Sequence, residues 1–388
     1  MIKNTFFKAL DYRTNKPIRV EVEKGEIQAV SECTEELNPS LYIAPGLVDL
    51  QVNGLKGIDF NSLELTVDEV KKVSQFLFEK GVTSYFPTLI TNSSNAIESL
   101  LKTISSACNS CQKTNDSIGG IHLEGPFISL EDGPRGAHSK EFVQAPNWEL
   151  FSKWQKVANG KIRIITLSPE WEEATNFIKK CVASGVIVAI GHTAATPVQI
   201  QNAIKAGATL STHLGNACHQ MLPRHSNYIW EQLASEKLWS TLIADGFHLP
   251  DSVLKVFLKV KPTQSILVSD ATSFAELPAG SYKSHIGGDV VLDSAGKLFM
   301  KDSPKMLAGS AQSLLWCVNQ LINKNMVSVV EAWNMASIKP TEALFGNSNN
   351  LLEVGNKADF VLFEKNKNVI EIIKTIKSGA IVFYKTSK

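Results

Sequence analysis

The sequence predicts an α/β fold, a (β/α)8 barrel of the TIM type with a small β-sandwich domain built from both chain termini. Eight short apolar, β-branched segments alternate with segments of helical periodicity through the middle of the chain. No Gly-x-Gly-x-x-Gly opens a helix, which disfavours a doubly wound dinucleotide-binding sheet. We divide the chain into an N-terminal part of the sandwich at 1–45, the barrel at 46–345 and a C-terminal part of the sandwich at 346–388.

Composition and charge are those of a globular protein. Of the 388 residues, 44% are hydrophobic and 20% are charged, and the formal net charge is +1. This balance gives no electrostatic reason to expect nucleic acid or an anionic membrane as a partner. No apolar segment approaches the roughly 20 residues that span a bilayer, and residues 1–8 lack the apolar core of a secretory signal. We therefore expect a cytoplasmic protein without a membrane partner.

The cysteines agree with this expectation, because the six of them are scattered over a long chain rather than spaced as a small disulfide framework. Cys108 and Cys111 form a Cys-x-x-Cys pair, but no second pair accompanies them. We interpret both as incidental thiols rather than as a redox or zinc motif.

The secondary structure elements follow in a regular order. Two extended segments among turn residues come first, at 18–22 and 27–30. The predicted barrel strands are at 47–52, 82–87, 118–123, 162–167, 186–190, 209–212, 241–244 and 265–269. Helical periodicity appears between them at 66–80, 94–106, 172–184, 197–206 and 249–259. Thr66 and Glu69 have the spacing of a capping box at the start of the first helix.

The alternation breaks after residue 270. A Gly- and Asp-rich stretch from 281 to 300 predicts further strands, and helical patterns follow at 311–323 and 329–336. The chain then returns to extended segments at 359–364 and 380–384. A β module built from both termini, flanking the barrel, is the simplest account of this order.

Four polar residues follow predicted barrel strands, in the motifs His122-Leu-Glu124-Gly-Pro, Gly-His192-Thr-Ala-Ala-Thr, Ser-Thr-His213-Leu-Gly-Asn and Leu-Val-Ser-Asp270-Ala-Thr. The active site of a (β/α)8 barrel lies at the C-terminal ends of its strands. A Glu, two His and an Asp match a catalytic zinc site, in which three protein ligands leave one position for water and a nearby carboxylate moves protons. A lone His or Asp at a strand end is more often structural, but four in similar settings favour a metal site.

Further motifs run in order along nearly the whole chain: Ala-Pro-Gly46-Leu-Val-Asp-Leu-Gln51-Val-Asn53-Gly, Phe-Pro87-Thr-Leu-Ile-Thr, Gly136-Ala-His138, Ile-Ala-Asp245-Gly-Phe-His248, Leu307-Ala-Gly309-Ser-Ala and Gly355-Asn-Lys-Ala-Asp359. Together with the four motifs above, they resemble the amidohydrolase superfamily and, within it, the N-acetylglucosamine-6-phosphate deacetylase family. His-Leu-Glu-Gly-Pro combined with Ala-Asp-Gly-x-His is the specific part of this resemblance. It implies hydrolysis of the acetamide of N-acetylglucosamine 6-phosphate to glucosamine 6-phosphate and acetate.

The resemblance implies one divalent metal ion per subunit, zinc, held by three residues, Glu124, His192 and His213. Many amidohydrolases hold a second metal through His-x-His at the end of the first strand, where this chain has Gln51 and Asn53. Neutral amides are poor zinc ligands beside imidazole or carboxylate, so we interpret this pair as a vestigial second-metal position. The family does not use the residue matching His122 as a ligand, and we expect it in the inner layer, as a reserve candidate.

The resemblance also assigns roles in catalysis and binding. Asp270 is expected to take a proton from metal-bound water and to return it to the departing amine. Sugar or phosphate contacts are implied for Ala137, His138, Asn216, Ala217, Arg224, His248, Leu307, Ala308 and Gly309. Arg224 matches the family's phosphate-binding position, and an arginine fork suits a phosphate dianion. Family members are commonly homo-oligomers, so a dimer or tetramer that binds an amino-sugar phosphate is expected.

Departures from the family pattern leave the substrate open. The usual aromatic two residues after the third ligand is Gly215, the usual Arg-Glu-Pro-Gly is Arg224-His-Ser-Asn227, and the intervening residues 218–223 are atypical. Residues 133–135 lengthen the segment between Glu124 and His138. N-acetylgalactosamine 6-phosphate, or another small N-acyl or cyclic amide, is therefore an alternative substrate. No strand-end Lys is placed to bridge two metals, which counts against a binuclear relative, and the intact metal residues oppose an inactive sugar-binding paralogue.

Overall fold

A computed structural model describes residues 5–284, 288–346 and 351–386. The first four strands belong to a sheet formed by both termini, and they are β1 Thr5–Asp11, β2 Pro17–Glu23, β3 Glu26–Glu32 and β4 Leu41–Pro45. Alternate residues of β1 and β2 are buried, among them Phe7, Ala9, Val20 and Val22. This period of two places one face of the sheet against a small core of its own.

The next ten strands are β5 Leu47–Val52, β6 Gly54–Leu55, β7 Ile58–Asp59, β8 Val82–Ile90, β9 Ile121–Glu124, β10 Ile162–Leu167, β11 Ile187–Ile190, β12 Leu210–Ser211, β13 Trp239–Ile243 and β14 Ser265–Val268. Strands β6 and β7 form a separate two-stranded sheet. The other eight form one sheet in the order β5-β8-β9-β10-β11-β12-β13-β14. Every neighbouring pair in it is parallel. Each predicted barrel strand overlaps one of these eight, and the predicted barrel is confirmed.

Polar contacts bring the first and last strands of this sheet together. Val52 forms a parallel bridge with Ala271, and the backbone N–H of Ser269 donates to Asp49 Oδ1 at 3.1 Å. Burial raises the pKa of Asp49 to about 6, although hydrogen bonds from Ser269 and Gln51 oppose this rise. The interior is filled by side chains from strands around the ring, namely Val48, Leu50, Phe86, Ile164, Ala189, Leu210, Ile243, Ile266 and Val268, as in other barrels of this type.

The helices are α1 Val67–Phe78, α2 Ser94–Ser110, α3 Gln112–Ser117, α4 Trp148–Val157, α5 Ala174–Ala183, α6 Pro197–Ala206, α7 Tyr228–Ala234, α8 Asp251–Val260, α9 Leu314–Asn323, α10 Val329–Met335 and α11 Ile338–Phe345. The predicted capping box of Thr66 and Glu69 opens α1. Helix α4 was not predicted, and it begins where the Asn147 side chain accepts from the N–H of Leu150. Within the described ranges, no helix is both long and apolar enough to cross a membrane.

Strands between and after these helices complete two smaller sheets. An insertion after β14 contains β15 Gly280–Lys283, β16 Asp289–Leu292, β17 Leu298–Met300 and β18 Ser303–Leu307, paired in that order. The C-terminal strands are β19 Phe360–Asn366, β20 Val369–Lys377 and β21 Ala380–Tyr384. They join the N-terminal strands in the order β21-β20-β19-β4-β1-β2-β3. The expected sheet domain from both termini is therefore present, while its boundaries at 45 and 346 stay a prediction.

An aromatic stack attaches the terminal sheet to the barrel. The ring of Phe363 in β19 stacks on Trp333 of α10 at 4.9 Å and on Tyr42 of β4 at 5.4 Å. The indole N–H of Trp333 donates to the carbonyl of Pro45 at 2.9 Å. Both Phe363 and Trp333 are fully buried, so this contact holds the two parts together through dispersion, area burial and one satisfied polar group.

Replacing Phe363 with Ala should therefore destabilise the protein. Truncation of a buried Phe costs about 3–5 kcal/mol, and thermal or urea unfolding monitored by circular dichroism measures the loss. Phe6→Ala is the matched control, because Phe6 is 50% exposed. A Phe363→Ala protein that unfolds like the control would mean that the stack contributes little.

Candidate active site

Four polar side chains stand at the C-terminal ends of barrel strands. Glu124 is the last residue of β9, and His192, His213 and Asp270 lie two residues beyond β11, β12 and β14. Parallel strands end at one rim of a barrel, so residues far apart in sequence meet there. Glu124, His192 and His213 are buried, whereas Asp270 is partly exposed. The structure thus brings together the four residues that the motifs singled out.

The backbone is unusual at three of these positions. His192, His213 and Asp270 have φ values of 50°, 29° and 48°, in the left-handed region that non-glycine residues rarely occupy. Such conformations cost about 1–3 kcal/mol each and persist where the surroundings impose them. Here each one turns the chain immediately after a strand and directs a polar side chain to a common point.

Three ligand atoms form a small triangle at that point. Glu124 Oε1 lies 3.1 Å from His192 Nε2 and 3.0 Å from His213 Nε2, and the two Nε2 atoms are 3.1 Å apart. Tetrahedral zinc with bonds of about 2.0–2.2 Å places neighbouring ligand atoms roughly 3.3 Å apart. The triangle is thus close to the size that holds one ion with a face left open. Among the described residues it is the one cluster of three His, Cys, Asp or Glu ligand atoms that could do so.

The donor set of these groups suits a cation. His192 Nδ1 donates to the carbonyl of Pro134 at 2.9 Å, which leaves Nε2 as the nitrogen that faces the other two ligands. Burial alone would raise the pKa of Glu124, but hydrogen bonds and charge from the two His rings hold it well below its ordinary value. Burial would likewise lower the pKa of His213, and the Glu124 carboxylate instead raises it. A divalent ion would satisfy a carboxylate and two imidazole nitrogens at once.

Gln51 and Asn53 act as hydrogen-bond donors. Gln51 Nε2 donates to Glu124 Oε1 at 2.9 Å, and Asn53 Nδ2 donates to Asp270 Oδ1 at 2.7 Å. Both amide oxygens lack a hydrogen-bond partner in the described part of the chain. The pair therefore orients the two carboxylates, and it offers neither imidazole nor carboxylate to a second metal.

His122 is engaged elsewhere. Its Nδ1 donates to the carbonyl of Leu50 at 3.1 Å, and its Nε2 accepts from the Thr166 hydroxyl at 2.7 Å. The Thr166 hydroxyl is in turn hydrogen-bonded to the Thr212 hydroxyl at 2.7 Å. Burial lowers the pKa of His122 to about 4, so the ring is neutral. With both nitrogens occupied, His122 belongs to the inner layer of the barrel below the triangle.

The environment of Asp270 favours proton exchange near neutral pH. Burial and the neighbouring Glu124 carboxylate raise the pKa of Asp270 to about 7, while His213, His248 and the bond from Asn53 act in the opposite direction. A group whose pKa lies near the working pH can both accept and return a proton efficiently. A cation at the triangle would lower this pKa from its value in the bare protein.

The triangle and Asp270 open into a cleft of about 140 Å³. Four of the predicted substrate residues line it, Ala137, His138, Ala308 and Gly309. Gly309 has a φ of +95°, and a Cβ there would lie 2.5 Å from the Thr272 side chain. The turn can approach the cleft this closely because residue 309 is glycine.

His138 is held as a neutral ring beside the triangle. Its Nδ1 lies 2.7 Å from the Thr91 hydroxyl and 3.4 Å from the Thr91 backbone nitrogen. Because the Thr91 N–H donates, Nδ1 is an acceptor and the ring proton is on Nε2. Burial and the neighbouring His192 ring lower the pKa of His138 to about 3. His138 therefore offers one N–H to a ligand without adding charge.

The other predicted substrate residues lie around the rim. Asn216 and Ala217 line a smaller cavity that shares His192 with the main cleft. Leu307 ends β18 beside the cleft residue Ala308. His248 Nδ1 lies 2.7 Å from Asp245 Oδ2, and its charge acts on Asp270.

Arg224 lies in an exposed segment. Its backbone carbonyl accepts from the indole of Trp230 at 3.3 Å. It is not among the cleft-lining residues. The structure therefore does not place its guanidinium beside the triangle. A phosphate that binds Arg224 would lie outside the cleft.

Sequence reasoning missed several cleft residues, namely Asp59, Asn61, Ile90, Thr272, Phe274 and Ser284. Thr272 and Phe274 follow Asp270 within four residues, so proximity could have identified them. Asn61 fixes the rim, since its side chain donates to Thr88 O at 3.0 Å and accepts from the N–H of Ile90 at 2.8 Å. Ser284 was missed because the strands predicted for 281–300 gave no indication of which residues would face the cleft.

Comparisons with known proteins agree with one another. The model of the Amidohydrolase family matches residues 42–382. The N-acetylglucosamine-6-phosphate deacetylase of Caenorhabditis elegans is 31% identical over 356 residues, which cover 88% of this chain and 83% of that protein. The deacetylase of the same name from Bacillus subtilis is 30% identical over 345 residues, with 88% and 84% covered. The crystal structure of N-acetylglucosamine-6-phosphate deacetylase from Thermotoga maritima superposes with a TM-score of 0.84 at 25% identity, covering 98% of this chain and 100% of that one.

The triangle predicts one tight divalent ion per chain. Elemental analysis after chelation and reloading should give one ion, because Gln51 and Asn53 replace the imidazoles of a second site. His192→Ala and His213→Ala should each lose the ion, since two ligands rarely hold it tightly. His225→Ala, at an exposed position, is the matched control and should keep it. Two tight ions per chain would contradict the single-metal interpretation.

Proposed function

The chain belongs to the amidohydrolase family and, within it, to the N-acetylglucosamine-6-phosphate deacetylases, and we propose that it hydrolyses the acetamide of N-acetylglucosamine 6-phosphate to glucosamine 6-phosphate and acetate. One observation supports this most directly. A buried triangle of Glu124, His192 and His213 opens, beside Asp270, into a cleft at the rim of the barrel. Relatives whose sequences align with 88% of this chain are named N-acetylglucosamine-6-phosphate deacetylases.

We infer that Glu124, His192 and His213 hold zinc, a metal that favours imidazole and carboxylate ligands in such open three-residue sites. When bound, the ion would polarise the acetyl carbonyl and lower the pKa of water. Gln51 and Asn53 keep the carboxylates of Glu124 and Asp270 in place by donating to them.

Asp270 is proposed to move the proton. In its ionised form the carboxylate accepts a proton from the attacking water, and it then returns that proton to the nitrogen of the departing amine. One residue can serve both steps when its pKa is near the working pH, and burial and the Glu124 carboxylate raise the pKa of Asp270 towards that range before a cation binds. His138, neutral and with its proton on Nε2, can donate to an oxygen of the substrate across the cleft.

Asp270→Asn should retain the metal and the fold but lose about 10²–10⁴-fold in turnover, the usual contribution of a general acid–base group. In the unaltered enzyme, activity needs the ionised carboxylate, so the rate should fall as the pH drops through the pKa of Asp270. A bound cation lowers that pKa, which places the midpoint below about 7.

Steady-state rates over a pH series measure both the loss of turnover and its pH dependence. Asp68→Asn, at an exposed position at the start of α1, is the control. A loss under tenfold, or a rate that stays level into the acid range, would assign the proton transfer to another group.

A deacetylation screen tests the substrate itself. It compares N-acetylglucosamine, N-acetylgalactosamine and N-acetylmannosamine, each with and without a 6-phosphate, by release of acetate. We expect N-acetylglucosamine 6-phosphate to have the highest kcat/KM. A preference for N-acetylgalactosamine 6-phosphate would fit the altered segments near residues 133–135 and 218–227, and turnover of none of the six sugars would point to another small N-acyl or cyclic amide.

Arg224 is the proposed phosphate contact, completed by Asn216, Ala217 and His248. Charged hydrogen bonds contribute about 1.5–3 kcal/mol, so Arg224→Ala should lower kcat/KM on the phosphorylated sugar roughly ten- to a hundredfold. The sugar without phosphate offers the guanidinium no partner and should be turned over equally by both proteins. Equal losses on the two sugars would make Arg224 structural.

We also propose, from family membership, a cytoplasmic homo-oligomer, either a dimer or a tetramer. The six cysteines are all free thiols, which suits a reducing compartment. Light scattering on the purified chain decides the first point, since a monomeric mass would contradict it, and fractionation of the source cells decides the second.

A further inference from the structure

The two histidines of the triangle differ in how their outer nitrogens are held. His192 Nδ1 donates to the carbonyl of Pro134 at 2.9 Å, whereas His213 Nδ1 has no hydrogen-bond partner in the described ranges. The outer hydrogen bond of a ligand histidine fixes its tautomer and the direction of its ring, and this tunes metal affinity. For His192 that bond comes from a surface segment rather than from the barrel.

This segment, residues 130–137, is here called the mouth loop. It wraps the His192 ring, since a Cβ on Gly136 would lie 3.3 Å from His192 Cε1. Within the loop, the N–H of Arg135 donates to Glu131 O at 2.9 Å and the N–H of Gly136 donates to Gly133 O at 3.0 Å. Most of the loop is exposed, and Pro134 is its buried residue. The Arg135 guanidinium donates to His138 O at 2.6 Å and holds the inner side of the loop. The position of the Pro134 carbonyl depends on this bond and on the contacts at the outer edge of the loop.

A series of hydrogen bonds links the outer edge of the mouth loop to α7. The backbone N–H of His219 donates to the Tyr228 hydroxyl at 2.9 Å, so the hydroxyl proton turns to His219 Nδ1 at 3.0 Å. His219 Nε2 then carries the remaining ring proton and donates to Glu131 Oε2 at 2.8 Å. Tyr228 is buried at the start of α7. A rigid helix is thus linked to the mouth loop through one imidazole.

The backbones of the two segments also touch. A Cβ on Gly133 would lie 3.0 Å from the carbonyl oxygen of Cys218. Residues 133–135 and 218–223 are two of the stretches in which this sequence departs from the family pattern, and the fold places them against each other. One explanation then covers both stretches: the longer mouth loop is held in place by its contact with residues 218–223.

We propose that Glu131 and His219 are positioning residues for the metal site: their contact fixes the mouth loop so that the Pro134 carbonyl keeps His192 directed at the ion. The proposal rests on the proposed function, because it takes His192 as a metal ligand. Glu131 is exposed, with 62% of its side chain accessible, so the pair adds little to global stability. Its effect should appear in metal affinity instead.

The test measures Zn²⁺ affinity of the full chain by competition with a chromophoric chelator, without substrate. Changes in the outer hydrogen bonds of metal ligands cost about 10–100-fold in affinity. Glu131 acts one step further out, so Glu131→Ala should weaken Zn²⁺ binding by about three- to tenfold with an unchanged melting temperature. Glu131→Gln keeps an acceptor for His219 and should bind like the unaltered chain. Glu141→Ala, which removes an exposed charge just beyond the loop, is the matched control.

A second variant breaks the same series of hydrogen bonds at its other end, at Tyr228. Tyr228→Phe removes the hydroxyl that orients His219 and should reproduce the loss of Glu131→Ala. The double variant should be no worse than either single one, because both break one connection. Substitution with Co²⁺ gives a spectroscopic check, since a tilted His192 ring should shift the visible absorption bands of the bound ion.

Unchanged Zn²⁺ affinity in both Glu131→Ala and Tyr228→Phe would overturn the proposal, as would an equal loss in Glu141→Ala or no recovery in Glu131→Gln. Failure of the proposed function looks different. An unaltered chain that binds Zn²⁺ but deacetylates none of the six sugars would lose its substrate assignment, while the positioning role would still stand or fall on the affinities.

Discussion

The meeting of Glu124, His192 and His213 at one point is the constraint on which the rest of the site depends. Three ligand atoms within 3.1 Å of one another require three separate strands to end at the same height. The parallel strands β9, β11 and β12, which end at one rim of the barrel, supply this from residues 124, 192 and 213. The positive φ values at His192, His213 and Asp270 are the local cost of that arrangement, and the packed barrel beneath them holds the conformation.

Burial of a carboxylate beside two imidazoles also decides how its neighbours behave. The Glu124 charge raises the pKa of both His213 and Asp270. For Asp270 this moves the pKa towards neutrality, whereas for His213 it favours the protonated ring, which must lose its proton when a metal binds. Amide donors at 51 and 53 allow this, because they hold the carboxylates of Glu124 and Asp270 without adding charge. Imidazoles at those positions would invite a second cation, whose charge would lower the pKa of Asp270.

The sequence predicted the barrel strands and most of the helices around them, but not the contacts between loops. Buried strands were identified as apolar β-branched segments, and the capping box of Thr66 and Glu69 marked the start of α1, because both depend on neighbouring residues. The four strand-end motifs located the triangle for the same reason. Helices α3, α4, α7 and α11 were not predicted, and the start of α4 depends on a single Asn147 cap.

Contacts between loops could not be predicted, because each of them joins residues distant in the chain. His219 meets Glu131 across 88 positions and His192 meets Pro134 across 58, and neither pair has a local pattern. In the sequence, the departures from the family pattern at 133–135 and 218–223 were two separate reasons to leave the substrate open. In the folded chain they form one surface that reaches a metal ligand. Variation at the mouth of such a barrel therefore bears on metal binding as well as on substrate choice, because one loop serves both.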